Sequence, residues 1–447
     1  MIESIAIPQK VRQILDTLME HGYEAFAVGG CVRDSLLGRK PKDWDITTSA
    51  KPLQVKELFP HTVDTGLQHG TVTVIVGREG FEVTTYRIDG EYTDSRHPKE
   101  VSFTPNLRED LMRRDFTINA MAYNQAAGLV DVFGGVADLQ KGVIRCVGSP
   151  ENRFTEDALR MLRAVRFAAQ LDFEVAAQTK DAIVKLAGNL QKISAERIAA
   201  ELVQLLISDH PQRIKDAYFL GITKIILPEF DRMMETGQNN PHHCFSVGDH
   251  TIHAMQYVPA DKVLRLAMLF HDIGKPNCKS TDEKGIDHFH GHPKEGEAIA
   301  RKIMKRLKFD TDTLQHVCAL VRWHDDNPEL EEQKVRRAIR RVGTDQYPGL
   351  FMVKRADILA QSDYQRQKKL GYVSDYEKLY QDIIKHGDCL EVKQLAITGR
   401  DVMALGIPQG RQVGEVLNRL LELTLDDPAK NDRQYLLDQV KQLKNKL

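Results

Sequence analysis

The sequence predicts an α+β fold, with a small mixed sheet and helices in the first third of the chain and helices alone after it. Two observations predict this fold. Residues 1–148 combine short apolar runs with glycine turns, whereas residues 149–447 show helical spacing of apolar positions almost throughout. Pro150 lies at this change of pattern and marks the expected boundary. The 447 residues are enough for several domains.

The first elements expected are a strand, a glycine pair and a helix. Apolar residues 25–28 predict a buried strand, and residues 31–37 predict a helix that ends at Gly38. Between them, Gly29–Gly30 lets the backbone approach a ligand closely. The N-terminus of such a helix favours phosphate, and Arg33 adds a cation beside it. The turn is therefore predicted to bind phosphate.

Two carboxylates, Asp43 and Asp45, follow in a segment predicted to be a strand. The strand period of two directs both side chains to one face, where their charges repel unless cations lie between them. Two divalent ions are the expected partners, and such ions bind triphosphates. Glu82, in the alternating run 81–86, is either a third acidic group here or an exposed strand residue.

An arginine-rich segment, residues 156–171, is predicted to form one helix. Its spacing places Asp157, Arg160 and Arg163 on one face. In a pair of a carboxylate and a guanidinium, the carboxylate accepts from an exocyclic amino group while the guanidinium donates to the adjacent ring nitrogen. Cytosine and adenine present this pattern, whereas uracil and guanine present the reverse. The pair therefore predicts selection of CTP and ATP by the protein itself.

A second group of candidate ligands surrounds the sequence His-Asp-Ile-Gly-Lys, which begins at His271. His271 and Asp272 follow a predicted apolar helix, and His250 and Asp357 lie on separate helices that can complete a metal site. Imidazole with carboxylate suits Mn, Ni, Fe or Zn. Water bound to such a metal attacks phosphoesters, so a hydrolase is predicted.

Other histidines near this group leave two questions open. His292 and His324 are candidate ligands of a second metal. The domain is either a working hydrolase or a degenerate domain that supports RNA binding. Four further histidines are interpreted as polar loop residues: His242, His243, His288 and His290.

The arginine-rich and carboxylate segments together resemble the tRNA nucleotidyltransferase and bacterial poly(A) polymerase family, the class II branch of the polymerase-β-like transferases. The resemblance is carried by residues 28–45, 111–122, 131–145 and 156–171, and continues at 193–202 and 397–421. It implies magnesium at Asp43 and Asp45, CTP and ATP as substrates, and tRNA as partner. It implies nucleotide contacts at Gly30, Arg33, Arg114, Asp157, Arg160, Arg163 and Arg166.

Within residues 111–122, Asp115 and Asn119 lie four positions apart. We expect them to hold the neighbouring arginines in place rather than to bind the nucleotide. This interpretation makes them scaffold residues of the predicted site.

The His-Asp segment resembles the HD phosphohydrolase superfamily, placed between neck and tail as in HD-containing bacterial members of the transferase family. The two resemblances together imply a polymerase-β-like nucleotidyltransferase head followed by an all-α neck, HD domain and body. The expected parts are a head at 1–148, a helical neck and RNA-binding region at 149–235, an HD phosphohydrolase-like domain at 236–365, and a helical body and tail contacting tRNA at 366–447.

The predicted activity is template-independent addition of CCA to the 3′ end of tRNA with release of pyrophosphate, together with metal-dependent phosphoester hydrolysis. Residues 89–103 match the flexible loop that CC-only enzymes lack, which argues against CC addition alone. The alternatives are an A-adding enzyme, a poly(A) polymerase, an HD phosphohydrolase with a nucleotide-sensing head, and a noncatalytic tRNA-binding chaperone.

Composition restricts where RNA can bind. The net charge is −1, so phosphate contacts must be local, and the basic stretches 301–308 and 336–341 are either such contacts or solvated helix faces. The six cysteines form no CxxC pair, which excludes a zinc ribbon and fits a reducing compartment. With no export signal and no apolar run of roughly 20 residues, a cytoplasmic protein is predicted.

Overall fold

The computed structural model describes residues 4–89 and 101–444. The chain divides into two compact units, Met1–Asp231 and Arg232–Leu447. The first contains a seven-stranded sheet with helices, and the described part of the second is helical apart from one short hairpin. The α+β prediction is confirmed. The finer division into four parts remains a prediction.

The sheet of the first unit is mixed. The strands of this unit are β1 Ala25–Val28, β2 Ile46–Thr48, β3 Thr62–Gly66, β4 Thr71–Val76, β5 Glu79–Thr85, β6 Arg87–Asp89, β7 Val101–Phe103, β8 Met121–Asn124, β9 Gly128–Asp131, β10 Val143–Ile144 and β11 Glu174–Val175. The main sheet has the order β3-β4-β5-β2-β1-β8-β9, in which only β2 and β5 run parallel. All four residues of β1 are buried, as its unbroken apolar sequence predicts.

Helices surround this sheet and continue beyond it. They are α1 Gln9–Glu20, α2 Gly30–Leu36, α3 Pro52–Leu58, α4 Leu107–Met112, α5 Gly135–Lys141, α6 Pro150–Glu156, α7 Leu159–Leu171, α8 Ala177–Leu186, α9 Ala195–Leu206, α10 Ile214–Phe219, α11 Thr223–Ile226 and α12 Pro228–Glu235. Pro150, expected to mark a boundary, is the first residue of α6, and Ser149 caps that helix.

The predicted single helix at 156–171 is interrupted at Asp157. Helix α6 ends at Glu156, and Asp157 has extended backbone angles, φ −140° and ψ 103°. Its Oδ1 accepts from the N–H of Leu159 at 3.1 Å. A side chain that binds the backbone two residues ahead competes with continuation of a helix. Asp157 therefore precedes α7 instead of lying on the helical face with Arg160.

The second unit is a bundle of helices with one hairpin. Its elements are α13 Val247–Met255, α14 Lys262–Phe270, α15 Lys275–Cys278, β12 Ser280–Thr281, β13 Asp287–His288, α16 His292–Arg306, α17 Thr311–Trp323, α18 Glu332–Val342, α19 Tyr347–Ala360, α20 Arg366–His386, α21 Gly399–Ala404, α22 Arg411–Asp426 and α23 Arg433–Lys444. Ser246, Asp261 and Asp310 cap α13, α14 and α17 through their side chains. In the described parts of the chain, no helix is long and apolar enough to cross a membrane.

The basic stretch 336–341 is used for packing within the second unit. Arg336 is buried and lies 2.9 Å from Asp388, while Arg337 pairs with Asp426 at 2.6 Å. These two guanidiniums already have carboxylate partners within the unit. This argues against the first alternative from the sequence, in which residues 336–341 are phosphate contacts for RNA. The stretch 301–308 is more exposed and remains a candidate RNA contact.

Candidate active sites

The carboxylates Asp43 and Asp45 lie in the extended segment just before β2. Their predicted placement on the strand itself is therefore wrong by a few residues. Both side chains nevertheless line the same two cavities, so they share one side of the chain as expected. The carboxylates lie where these cavities meet.

The two cavities differ in their other lining residues. The first, of about 820 Å³, includes Lys10, Trp44, Glu79 and Glu82. The second, of about 530 Å³, includes Gly30, Arg33, Arg39, Lys40 and Arg166. One cavity thus places an aromatic ring and acidic groups beside the carboxylate pair, and the other places a phosphate-binding turn and several cations beside it.

The electrostatics at Asp45 favour a bound cation. Burial raises the pKa of Asp45, Arg114 opposes that rise, and the negative charges of Glu82 and Asp43 raise the pKa further. Glu82 is exposed on β5 and lines the first cavity with the two aspartates, and its role as a third acidic group at the metals stays a prediction. Repulsion among carboxylates is relieved by a divalent ion, and oxygen donors fit Mg²⁺.

Gly29 and Arg114 explain why the turn after β1 contains glycine. Gly29 has φ of 82°, in the left-handed region, and a Cβ at this position would lie 2.9 Å from Nη1 of Arg114. Glycine is therefore favoured by the backbone, and a Cβ here would also push the end of the flexible Arg114 side chain away from the turn. Arg114 Nη2 lies 3.6 Å from Asp110, and burial lowers the pKa of Arg114. The guanidinium is held directly against the predicted phosphate-binding turn.

The expected scaffold role of Asp115 and Asn119 is confirmed by their hydrogen bonds. Arg33 Nη1 donates to Oδ1 of Asn119 at 2.7 Å, and Asn119 Nδ2 donates to Asp115 at 3.2 Å. Arg163 donates to the other oxygen of Asp115 at 2.8 Å. Burial alone would raise the pKa of Asp115, but Arg163 and Arg160 lower it to about 2. The chain of contacts links two of the predicted nucleotide-binding arginines.

The other motif residues have partners on α9 that the sequence did not reveal. Asp157 accepts from Arg197 at 2.7 Å, and Arg166 forms an ion pair with Glu201 at 2.5 Å. The resemblance predicted this helix as the neck, but a single sequence contains no signal that its charges reach the motif. Arg160 instead donates to Glu156 at 2.7 Å.

In the second unit, four predicted ligands converge. The Nε2 atom of His250 lies 2.8 Å from Oδ1 of Asp357 and 3.3 Å from Nε2 of His271. Asp272 Oδ2 lies 3.4 Å from Nε2 of His271. One donor atom from each of these four residues lies within 4.8 Å of the others. The predicted metal ligands therefore form one compact group.

His292 and His324 form a second group with the same aspartate. Their Nε2 atoms are 3.3 Å apart, and Oδ1 of Asp272 lies 3.3 Å from that of His292 and 3.8 Å from that of His324. Asp272 thus directs one carboxylate oxygen to each group. The geometry fits two metal ions bridged by one carboxylate.

The backbone orients all four imidazoles. Each Nδ1 faces a carbonyl oxygen, which only accepts, so the neutral ring is protonated on Nδ1 and presents the Nε2 lone pair. The carbonyl oxygens of Met268, Phe289, Val321 and Ala360 lie 2.7, 2.9, 2.8 and 3.4 Å from Nδ1 of His271, His292, His324 and His250. When neutral, these rings therefore direct the Nε2 lone pair into the site, where it can bind a metal.

Charge also favours cations here. Burial would lower the pKa of His271, but Asp272 and Asp357 raise it to about 10, so these carboxylates stabilise positive charge at the imidazole. Lys275 Nζ lies 2.7 Å from Asp272 and 3.5 Å from Nε2 of His243. His243 thus lies at the edge of the site, which corrects its interpretation as a polar loop residue.

Gly274 allows the two parts of the centre to approach. A Cβ at this position would lie 2.3 Å from the carbonyl oxygen of His292 and 2.6 Å from the backbone nitrogen of Gly296. Helix α16, which begins at His292, therefore packs directly on the backbone of the loop that carries Asp272. Any larger residue at 274 would displace that helix.

Family models match three segments of the chain. The Poly A polymerase head domain matches residues 25–145, the probable RNA and SrmB-binding site of polymerase A matches 172–234, and the HD domain matches 242–362. The carboxylates and arginines of the first unit and the histidines of the second lie in or beside these segments. Both domain classes generally use divalent metal ions.

Curated relatives and solved structures match nearly the whole chain. A CCA-adding enzyme of Lactiplantibacillus plantarum is 35% identical over 442 residues, covering 96% of this chain and 95% of the relative. One from Pediococcus pentosaceus is 34% identical, covering 97% and 98%. The crystal structure of a Bacillus stearothermophilus CCA-adding enzyme in complex with CTP superposes with a TM-score of 0.76 at 27% identity, covering 98% of each chain.

Fold and sites thus define a nucleotidyltransferase with a poly(A) polymerase-type head and an HD domain. The similarity of nearly the whole chain to CCA-adding enzymes identifies the family within that class. The chain belongs to the CCA-adding enzyme family.

Proposed function

We propose that this protein adds CCA to the 3′ end of tRNA without a template, using CTP and ATP and releasing pyrophosphate. The observation that carries the proposal is the position of Asp43 and Asp45, between a cavity rich in cations and one that contains Trp44. A nucleoside triphosphate suits the cation-rich cavity, and the 3′ end of an RNA suits the cavity that contains Trp44. Alignment of CCA-adding enzymes with almost the whole chain supports the same conclusion.

Asp43 and Asp45, with Glu82 beside them, are the residues proposed to hold two Mg²⁺ ions. Their oxygen donors and mutual repulsion fit a hard cation. When bound, such ions make the attacking hydroxyl more acidic and stabilise charge on the phosphate. The carboxylates themselves fix where the reacting groups meet, at the junction of the two cavities.

Arg33, Arg114 and Arg166 are proposed to neutralise the triphosphate. In the reaction, the 3′ oxygen of the RNA forms a bond to the α-phosphorus while the bond from that phosphorus to the bridging oxygen of pyrophosphate breaks. The leaving pyrophosphate takes that electron pair and gains negative charge. Arg33 and Arg166 line the cation-rich cavity and stabilise this charge there.

Asp157 and Arg160 are proposed to select the base. The carboxylate of Asp157 keeps acceptor sites free while it binds Arg197, because an ionised carboxylate accepts about four hydrogen bonds. Arg160 donates to Glu156 and to the carbonyl oxygens of Arg153 and Arg113, which hold its guanidinium in one orientation. Contact with cytosine or adenine would therefore share or replace one of these partners, whereas Asp157 can accept from the base while it still binds Arg197.

The helical segments are proposed to hold the tRNA. Residues 172–234 match a model described as a probable RNA-binding site, and the tail at 397–421 resembles the family segment that grips tRNA. The predicted flexible loop at 89–103 falls mostly on 90–100, outside the described residues. The choice of CCA over A addition or poly(A) tailing is therefore supported by the relatives rather than by this loop.

A second activity, phosphoester hydrolysis, is proposed for the HD centre. It is favoured by the two donor groups that share Asp272. The mixed nitrogen and oxygen donors suit Mn, Fe, Ni or Zn, which when bound activate water near neutral pH. A cavity of about 420 Å³ beside Asp357 is lined by Lys354, Lys368 and Lys369. The amino group of Lys354 donates to the carbonyl oxygens of His324 and Asp326 and to Asn327, so Lys368 and Lys369 are the residues proposed to bind the phosphate.

The test of the main proposal is incubation of the protein and magnesium with a tRNA that lacks its last three nucleotides, supplied with CTP, ATP or both. Mass spectrometry of the RNA measures the product. Two cytidines from CTP alone and CCA from both nucleotides are expected. Addition of ATP only to tRNA ending in CC would indicate an A-adding enzyme, long adenosine runs a poly(A) polymerase, and no addition would leave the HD centre as the main activity.

The cysteines support a reducing compartment for this reaction. All six are free in the structure, four of them buried, and none forms a disulfide. Reduced thiols are typical of cytosolic proteins. The cytoplasmic location predicted from the sequence is therefore proposed for the protein.

A further inference from the structure

Phe167, on α7, lies at the centre of three arginines. The guanidinium carbons of Arg33, Arg163 and Arg166 lie 5.1, 5.4 and 4.0 Å from the centre of its ring. The ring is only 5% exposed, and Phe116 packs against it edge-on at 5.8 Å. One buried aromatic ring is thus the common contact of three side chains proposed to bind nucleotide.

Each of these arginines also has an acidic partner. Arg33 pairs with Asp34 at 2.8 Å, and Arg163 pairs with Asp115 at 2.7 Å. Arg166 pairs with Glu201 at 2.5 Å. Asp34 lies on α2, Asp115 in the loop between α4 and β8, and Glu201 on α9, where it is also 3.5 Å from Arg163. Glu201 therefore links two of the arginines, and Asn119 with Asp115 links Arg33 to Arg163, but none of these three carboxylates pairs with all three arginines. Among the described residues, the ring of Phe167 is the group that all three guanidiniums share.

The electronic structure of the ring suits this position. Guanidinium groups are attracted to the negative face of an aromatic ring within about 6 Å of its centre, most strongly where water is excluded. An aliphatic side chain fills similar space but offers no such attraction. Like-charged groups collected around an aliphatic residue would separate by repulsion.

We infer that Phe167 is a positioning residue that sets the spacing of Arg33, Arg163 and Arg166 for the phosphates of the nucleotide and of pyrophosphate. The inference rests on the proposed role of these arginines in nucleotidyl transfer. In the described part of the chain, the guanidiniums over this ring do not include Arg160, so the effect of Phe167 is expected on phosphate affinity and not on base choice.

The test replaces Phe167 with ring-fluorinated phenylalanines carrying one, two and three fluorines. Fluorine weakens the negative face of the ring with little change of shape, so a residue that only fills space is insensitive to the series. We expect the inhibition constant of pyrophosphate and the KM of CTP and ATP to rise stepwise, by about tenfold at three fluorines. The preference for CTP over UTP is expected to stay constant.

Phe167→Leu provides a second measurement. It is expected to weaken pyrophosphate inhibition at least as much as trifluorination, while thermal unfolding shows whether the first unit still folds. A flat response across the fluorinated series, with unchanged pyrophosphate inhibition, would overturn the inference whatever Phe167→Leu does.

Arg166→Gln separates this inference from the proposed function. If Arg166→Gln weakens pyrophosphate binding and the fluorinated series has no effect, the arginines bind phosphate but Phe167 does not position them. If neither change has an effect, the proposed phosphate-binding role of the arginines fails as well. Stepwise weakening in the series together with weakening by Arg166→Gln supports both.

Discussion

The two centres of this molecule use aspartate in opposite ways. In the HD centre, Asp272 is fully enclosed by four histidines whose Nε2 atoms lie within 3.8 Å of its oxygens. In the head, the side chains of Asp43 and Asp45 are accessible to solvent where two cavities meet, although the surrounding protein partly desolvates Asp45. Among the described residues, the head carboxylates form no group of three donors as compact as those of the HD centre.

This difference indicates when each metal site is completed. Magnesium keeps several waters and takes ligands from substrate phosphates, so an open pair of carboxylates is sufficient when the triphosphate supplies the rest. Histidine-rich sites need their donors arranged in advance, because each imidazole must be held in one tautomer. We therefore expect the metal site of the head to be completed by its substrate, whereas the ligands of the HD centre are already arranged by the fold.

The largest effect is expected when each centre is disabled in turn. Asp45→Asn should reduce nucleotide transfer to tRNA by roughly a thousandfold or more, because the metal ion that acts on the reacting phosphate loses a carboxylate ligand. It should leave hydrolysis of p-nitrophenyl phosphate by the HD centre unchanged. Asp272→Asn should have the reverse pattern. Transfer assays and colorimetric phosphatase assays on both variants measure this, and loss of both activities in either variant would contradict the separation.

Because the fold arranges the HD ligands in advance, metal binding by the HD centre should be sensitive to Gly274→Ala. The added Cβ must displace α16 and with it His292, so tightly bound transition metal should fall from about two ions per chain towards one. Elemental analysis after dialysis measures the content. Gly371→Ala is the matched control, because nothing lies within 4 Å of a Cβ at that position. Unchanged metal content in Gly274→Ala would show that α16 does not hold the second group.

In the head, Asp157→Asn should relax base selection. The amide can donate to O4 of uracil, which removes one of two mismatches while Arg160 keeps the other. The preference for CTP over UTP should fall by about tenfold, in line with roughly 1–3 kcal/mol per mispaired group. Single-nucleotide addition with each nucleotide measures it. Asp181→Asn, an exposed position on α8, serves as control, and equal selectivity in both variants would remove Asp157 from base reading.

The smallest effect concerns stability of the head at low pH. Because the folded pKa of Asp115 is lowered to about 2, its carboxylate stabilises the fold above its ordinary pKa, and this contribution disappears as pH falls towards 2. Asp115→Asn should therefore cost about 2 kcal/mol at pH 7. Urea unfolding of both proteins should show that difference shrinking below about pH 5. A difference independent of pH would mean that the charge of Asp115 is not the cause.

Local chemistry was predictable from the sequence. The strand, glycine pair and helix around Arg33 and the histidine centre around His271 follow from short segments whose residues act on their neighbours in the chain. The HD ligands come from distant helices, yet His and Asp at the ends of apolar helices were a sufficient signal. The roles of Asp43, Asp45 and the motif arginines still await measurement.

Long-range partners were not predictable in the same way. Arg197 and Glu201 reach the motif because α9 packs on α7, and nothing in the spacing of residues 193–202 indicates which charges face inward. The extended backbone at Asp157 was missed because helical periodicity continues through it, although aspartate at a helix start is a capping signal. The pairing of residues 336–341 depends on α22, about 80 residues further along.

The hydrogen-bonded chain from Arg33 through Asn119 and Asp115 to Arg163 acts as a mechanical linkage. The side-chain amide of Asn119 directs its oxygen to Arg33 and its nitrogen to Asp115. Neither contact can therefore change without disturbing the other. If a phosphate drew Arg163 away from Asp115, Asn119 would lose a partner and Arg33 would be freed with it. The proposed nucleotide contacts on α2 and α7 are therefore coupled, so a change at one is expected to reach the other.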